Sequence, residues 1–244
     1  MTDMRSDDIQ NLESAVQDVS QRIIEAQEAE RRRISKEIHD DLGQSLAALK
    51  MLIQSIVLPE YLDSAPTRKA YQRVIAYIDE IIEKTRDIAT ALRPKLIETV
   101  GITRAIKKLL AGFRKNKGLE IRAQVGNLND LRFQGDPLNL YRIVQESLAN
   151  LYHHAEATHV EVMFRRGKQS LTMVIKDNGK GFLPEKAQKD IGHTQRHGLS
   201  TMHERARLLG GELLIESSPG KGTVIRLNIP AVVVINRSEG SDEL

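Results

Sequence analysis

Cysteine and tryptophan are both absent from the 244 residues, and aromatic side chains make up only 4% of them. Without cysteine, disulfides, thiolate metal ligands and cysteine nucleophiles are excluded, a composition that suits a reducing compartment. Long apolar runs are missing as well. The longest purely aliphatic stretch, Ala231 to Ile235, is the length of a strand, against the ~18 residues needed to cross a bilayer. The opening residues, Met1 to Asp8, carry no signal-peptide pattern. The expectation is a soluble, cytoplasmic chain with no membrane contact of its own; a sensor or membrane domain upstream would lie outside these residues. Nor does one sign of charge dominate. With 36 basic and 33 acidic side chains the net charge is +3, too balanced to predict direct nucleic-acid binding. What remains is ordinary: 40% hydrophobic and 28% charged residues, in a length that allows two modest domains.

The first half reads as long helices. Leu12, Val16, Val19, Ile23 and Ala26 step by fours and threes, as a coiled-coil seam does. The stripe then shifts phase to Ile34, Ile38, Leu42, Leu46, Leu49, Ile53 and Ile56 across the charged block Glu28 to Arg33. That change resembles a stutter, although a solvated charged face explains the block equally well. Pro59 and Pro66 bracket a turn, and a second helix follows with an apolar side from Tyr71 to Leu92, stopped by Pro94. Such an α-helical hairpin has too little core to stand alone, and two of them make a four-helix bundle. Beyond Pro94 the pattern becomes α+β. Gly101 to Lys117 is helical, and Asp136 with Pro137 opens a helix to about Ala155. A further helix spans Met202 to Leu209. Strands are expected at 120–125, 159–165, 171–177, 212–217 and 222–229.

Four segments carry chemistry. In the first, Arg31 to Gln44, His39 follows Ile38 and so lies about 100° from the apolar stripe, partly exposed. An imidazole there can be a neutral nucleophile near pH 7. Asp40 could orient the ring or accept its proton, Gln44 sits one turn beyond Asp40, and Gly43 leaves the flank open. A lone helical histidine beside aspartates is also a common surface feature. In the second, Glu146 and Asn150 face one way from a helix, as oxygen ligands for Mg²⁺ could. The neighbouring His153 and His154 diverge by about 100° and have no further partners that would complete a zinc site. The third, Asp177 to Phe182, ends a strand. Its glycines permit close backbone approach and Asp177 can accept from an exocyclic amine, but Asp-Asn-Gly is equally a turn signal. In the fourth, His197 to Arg205, Gly198 opens a helix whose free N–H groups and dipole suit phosphates. The aperiodic stretch Leu183 to Arg196 before it is a candidate lid. Gly220 to Thr223 reads either as a plain hairpin turn or as a ligand contact.

Taken in order, these segments resemble the two-component sensor histidine kinases of the NarX/DegS/DesK type. The match runs from about Glu25 to Pro230. His39, Asp40 and Gln44 are similar to that branch's phosphoacceptor box, and Leu92 to Pro94 to the end of its second helix. Residues 146–154 resemble the N box, 177–181 the first glycine box and 197–201 the second.

The resemblance implies a homodimeric hairpin bundle followed by a Bergerat-type ATP-binding α/β sandwich. It divides the chain into a signalling coiled coil (1–27), a dimerisation and phosphotransfer domain (28–93), a linker (94–99), a catalytic domain (100–235) and a polar tail (236–244). It implies that His39 attacks the γ-phosphate of ATP with Asp40 as base, and that Gln44 aligns water for the reverse dephosphorylation. Asn150 and Glu146 would hold Mg²⁺ and Asp177 would contact adenine. Gly179, Gly181, His153, His154, His197, Gly198, Leu199 and Thr223 would complete the nucleotide contacts. The implied partner is the receiver domain of a response regulator, with a helix-turn-helix output. Two departures stand out. His153 occupies a position usually held by lysine or arginine, and the second glycine box keeps only Gly198 of its glycines. Two other functions share the same fold: a Bergerat-type ATPase driving conformational work, and a dimeric scaffold whose ATP site has decayed.

Overall fold

The structure, a computed structural model, describes residues 3–57, 61, 64–92, 96–117, 119–183 and 193–233. It divides into two compact units, residues 1–95 and 96–244.

The first unit is helical: α1 (Asp3–Glu37), a π-helical turn (Ile38–Gly43), α2 (Gln44–Ile56) and α3 (Ala65–Leu92). The apolar period predicted one unbroken helix from the charged block to Ile56. The backbone instead widens into the π turn at His39. Helix α3 begins at Ala65, so Pro66 lies in its first turn, where a missing N–H costs nothing. The hairpin register is set by two polar contacts. Ser35 Oγ, buried, donates to the Ala89 carbonyl at 2.8 Å, and Lys50 Nζ donates to Asp79 Oδ1 at 2.6 Å. The predicted stripe divides in two. Ile34, Ile38, Leu46 and Ile53 are half-buried, whereas Leu42, Leu49 and Ile56, spaced by seven, stay exposed in the single chain.

The second unit packs helices on a six-stranded sheet. Its elements are α4 (Leu96–Lys117), β1 (Glu120–Gln124), β2 (Leu131–Phe133), α5 (Leu138–Asn150), a π turn (Leu151–Ala155), β3 (His159–Arg166), β4 (Ser170–Asp177), α6 (His193–Leu208), β5 (Glu212–Ser217) and β6 (Thr223–Val233). The order is β1-β3-β4-β6, with β1 parallel to β3 and the rest antiparallel. β5 and β2 both pair along the outer edge of β6, at 223–228 and 231–233. Pro230 falls between those partners, where a proline is tolerated. Burial alternates along β3 and β4. The buried face meets Ile106, Leu140, Leu148 and Met202 from the three helices, and Leu209 just after the last of them.

Three sequence expectations are corrected here. Residues 96–99, assigned to a linker, form the first turn of α4 before a break at Gly101 (φ 83°, ψ 166°). A Cβ at Gly101 would come 2.4 Å from Asn129 Oδ1, and that oxygen accepts the Thr103 N–H at 3.0 Å. β2 was not foreseen, and α6 begins nine residues ahead of Met202, at His193. The predicted N-cap is as expected: Asp136 Oδ1 accepts the Leu138 N–H at 2.8 Å. Most of the candidate lid and the polar tail lie outside the described residues.

Candidate functional site

His39 lies within the first π turn, on a side chain 68% exposed. Its Nδ1 is 3.2 Å from Asp40 Oδ1. A carboxylate can only accept, so this contact places a proton on Nδ1 and, in the neutral ring, the lone pair on Nε2. Gln44, the first residue of α2, is exposed beyond the turn. Single π turns of this kind are rare and concentrate at functional sites.

In the second unit a cavity of about 340 Å³ opens between α5, α6 and the ends of β4, β5 and β6. Asn150, His153, His154, Asp177, Gly181, Leu199 and Thr223, all foreseen, line it. Glu146, Gly179 and Gly198 do not line it, and the side chain of His197 lies outside the described residues. His153 and His154 were expected to diverge. Both nonetheless border the cavity, from the second π turn (Leu151–Ala155). The Tyr152 ring meets His153 edge-on at 4.9 Å.

Asp177 closes one end. Its Oδ1 accepts the Gly179 N–H at 2.6 Å and its Oδ2 the Thr223 N–H at 3.1 Å. Burial pushes this carboxyl above the ordinary aspartate value, opposed by those N–H bonds and the Thr223 hydroxyl. The loop after it depends on glycine. Gly181 (φ 61°) and Gly222 (φ 73°) take left-handed conformations, and a Cβ on Gly222 would lie 2.1 Å from the Asp177 carbonyl. Asn178 of the same loop is structural: its Oδ1 accepts the N–H groups of Thr158 and His159. Lys180 reaches Glu156 at 2.7 Å from the cavity rim.

Gly198 requires a correction. It is not at a helix start with free N–H groups, because residues 193–197 are already helical. Its role is close packing. A Cβ there would stand 2.4 Å from Glu146 Oε1 and 3.9 Å from Asn150 Nδ2, so the two α5 side chains converge against the bare backbone of α6. The sequence reading missed Ser147, Leu151, Ala155, Lys180, Phe182, Ile215 and Ile225, which also line the cavity. Strand alternation would have turned Ile215 and Ile225 inward; the others follow only from tertiary packing.

Residues 135–233 match the family model described as histidine kinase-, DNA gyrase B-, and HSP90-like ATPase, and residues 30–96 match the one described as histidine kinase. The chain belongs to the histidine kinase family. The chain is 33% identical over 211 residues to the signal transduction histidine-protein kinase/phosphatase DegS of Brevibacillus brevis, covering 85% of this chain and 53% of that relative. It therefore spans about half the length of the curated relative it matches. Among solved structures it is similar to full-length ShkA in complex with AMPPNP (16% identity, 84% of this chain and 46% of that one, TM-score 0.45). It is also similar to the mycobacterial sensor histidine kinase MprB (20% identity, 55% and 96%, TM-score 0.43). Among the described residues, no helix is long and apolar enough to cross a membrane.

Proposed function

We propose that this chain is a kinase core that takes the γ-phosphoryl group of Mg-ATP onto His39 Nε2 and passes it to an aspartate of a response-regulator receiver domain. The observation that carries the reading is the His39–Asp40 contact on an exposed ring, which in the neutral imidazole puts the proton on Nδ1 and the lone pair on Nε2. Nε2 bonds to the γ-phosphorus as the bond to the ADP oxygen breaks. Asp40 takes up the positive charge that develops on the ring, as the acceptor of the Nδ1 proton. Gln44 orients water for the opposite reaction, dephosphorylation of the receiver.

The cavity takes the nucleotide. Asp177 accepts from the adenine amine, and the apolar wall of Leu199, Ile215 and Ile225 takes the ring. Glu146 and Asn150 fit a magnesium-bound triphosphate: they are hard oxygen donors one turn apart, converging where Gly198 leaves room. When bound, the ion neutralises phosphate charge; the side chains themselves position the triphosphate. Two copies of the first unit form the four-helix bundle that covers Leu42, Leu49 and Ile56.

Incubation with ATP labelled at the γ-phosphate tests this. Label on the protein that is acid-labile, base-stable and absent from His39→Gln is the expected result. Phosphate release without protein label would support an ATPase instead.

A further inference from the structure

Ser217, the last residue of β5, does not line the cavity, yet its hydroxyl meets two residues that do, Phe182 and Thr223, and the backbone of Gly222. It accepts the Phe182 N–H at 2.9 Å, lies 3.0 Å from the Gly222 carbonyl oxygen and 2.9 Å from Thr223 Oγ1. A serine hydroxyl has one proton and two lone pairs. The carbonyl can only accept, so the Ser217 proton goes to Gly222, while one lone pair serves Phe182. One lone pair remains for the third contact, which makes Thr223 the donor.

We propose that Ser217 is a specificity-determining positioning residue: by taking the Thr223 proton it leaves only lone pairs of Thr223 Oγ1 for the ligand, so this end of the cavity accepts but does not donate. The inference rests on the reading that the cavity holds the base of ATP. Asp177, bonded to the Thr223 N–H, is the adjacent polar group and is also an acceptor. The single Thr223 proton has two acceptors within reach, Ser217 Oγ at 2.9 Å and the Asp177 carboxylate whose ionised form the hydroxyl favours; the assignment to Ser217 follows from the contact that has hydrogen-bond geometry. A 6-aminopurine donates to such a surface. A 6-oxopurine presents an acceptor oxygen at the same place, facing unmatched lone pairs, and is rejected.

Binding of Mg-ATP and Mg-ITP is titrated calorimetrically on the full chain and on Ser217→Ala, Ser217→Thr, Thr223→Val and the Ser217→Ala/Thr223→Val pair. Wild type favours ATP. Ser217→Ala lowers the ATP-over-ITP ratio about fivefold, the worth of one hydrogen bond, because Thr223 can then turn its proton to the purine oxygen. Ser217→Thr keeps the ratio, and Ser217→Ala changes nothing further once Thr223 is valine. A ratio unmoved by Ser217→Ala, or lowered equally in both backgrounds, overturns the proposal alone. Should Ser217→Ala fail to fold, loss of the wild-type ratio in Ser217→Thr would overturn it. Wild type that binds neither nucleotide overturns the ATP reading as well.

Discussion

His39 and Asp177 are each defined by what their neighbours leave free. At His39 the Asp40 contact occupies Nδ1, and the ring's remaining nitrogen faces solvent. Replacing Asp40 by Asn removes the acceptor charge without changing the shape. Autophosphorylation should slow by about 10²- to 10⁴-fold, the usual worth of a general base, while ATP affinity holds; single-turnover labelling measures it. Asp177 differs because its environment opposes ionisation. Its raised pKa means the folded protein holds this proton at pH values where the unfolded chain has released it. Stability therefore declines as pH rises from the ordinary aspartate value of about 3.9 up to the raised value, and is flat with respect to this group above it. ATP binding runs the other way, since an ionised acceptor is needed, and weakens as pH falls through the same window. Denaturation of Asp177→Asn across that acidic range should lack the slope. A slope equal to wild type would assign it to other carboxylates.

At the scale of elements, two glycines separate function from stability. Gly198→Ala pushes against the flexible end of Glu146 inside a helix that favours alanine over glycine by about 0.5–1 kcal/mol. KM for Mg-ATP should rise several-fold while the melting temperature holds or increases. Gly222→Ala meets backbone at a positive φ, where nothing flexible can yield, and should cost on the order of 1–3 kcal/mol. Thermal melts beside steady-state kinetics separate the two. Much of this architecture was legible in the sequence. Strands 120–124 and 212–217 follow from alternation and turn residues, and the Asp136–Pro137 start follows from capping. Other features were not. A 3.6-residue period cannot reveal a π turn, so the widened backbone at His39 and at Leu151–Ala155 was out of reach. β2, three residues long, carries too few positions for a pattern and exists because Ala231 to Val233 offers it an edge. Gly198 was read as a helix start because the polar residues before it have no apolar period.

At the scale of the whole molecule, the first unit leaves large apolar side chains in water. Leu42, Leu49 and Ile56 recur every seven residues on one helix, and Val74 and Ile88 stand exposed on the other. Burying each against a second copy is worth about 1.5–3 kcal/mol, enough in sum to drive association. Leu49→Glu should convert a dimer into a monomer in sedimentation experiments, and a variant that remains dimeric would place the interface elsewhere. The central claim is more local than the assembly: ATP phosphorylates this chain on Nε2 of His39. Phosphorus NMR of the protein after reaction with Mg-ATP tests it most directly. The account predicts a signal of Nε2-linked phosphohistidine that is absent from His39→Gln. A phosphoryl group on Nδ1, or a signal that persists without His39, would contradict it.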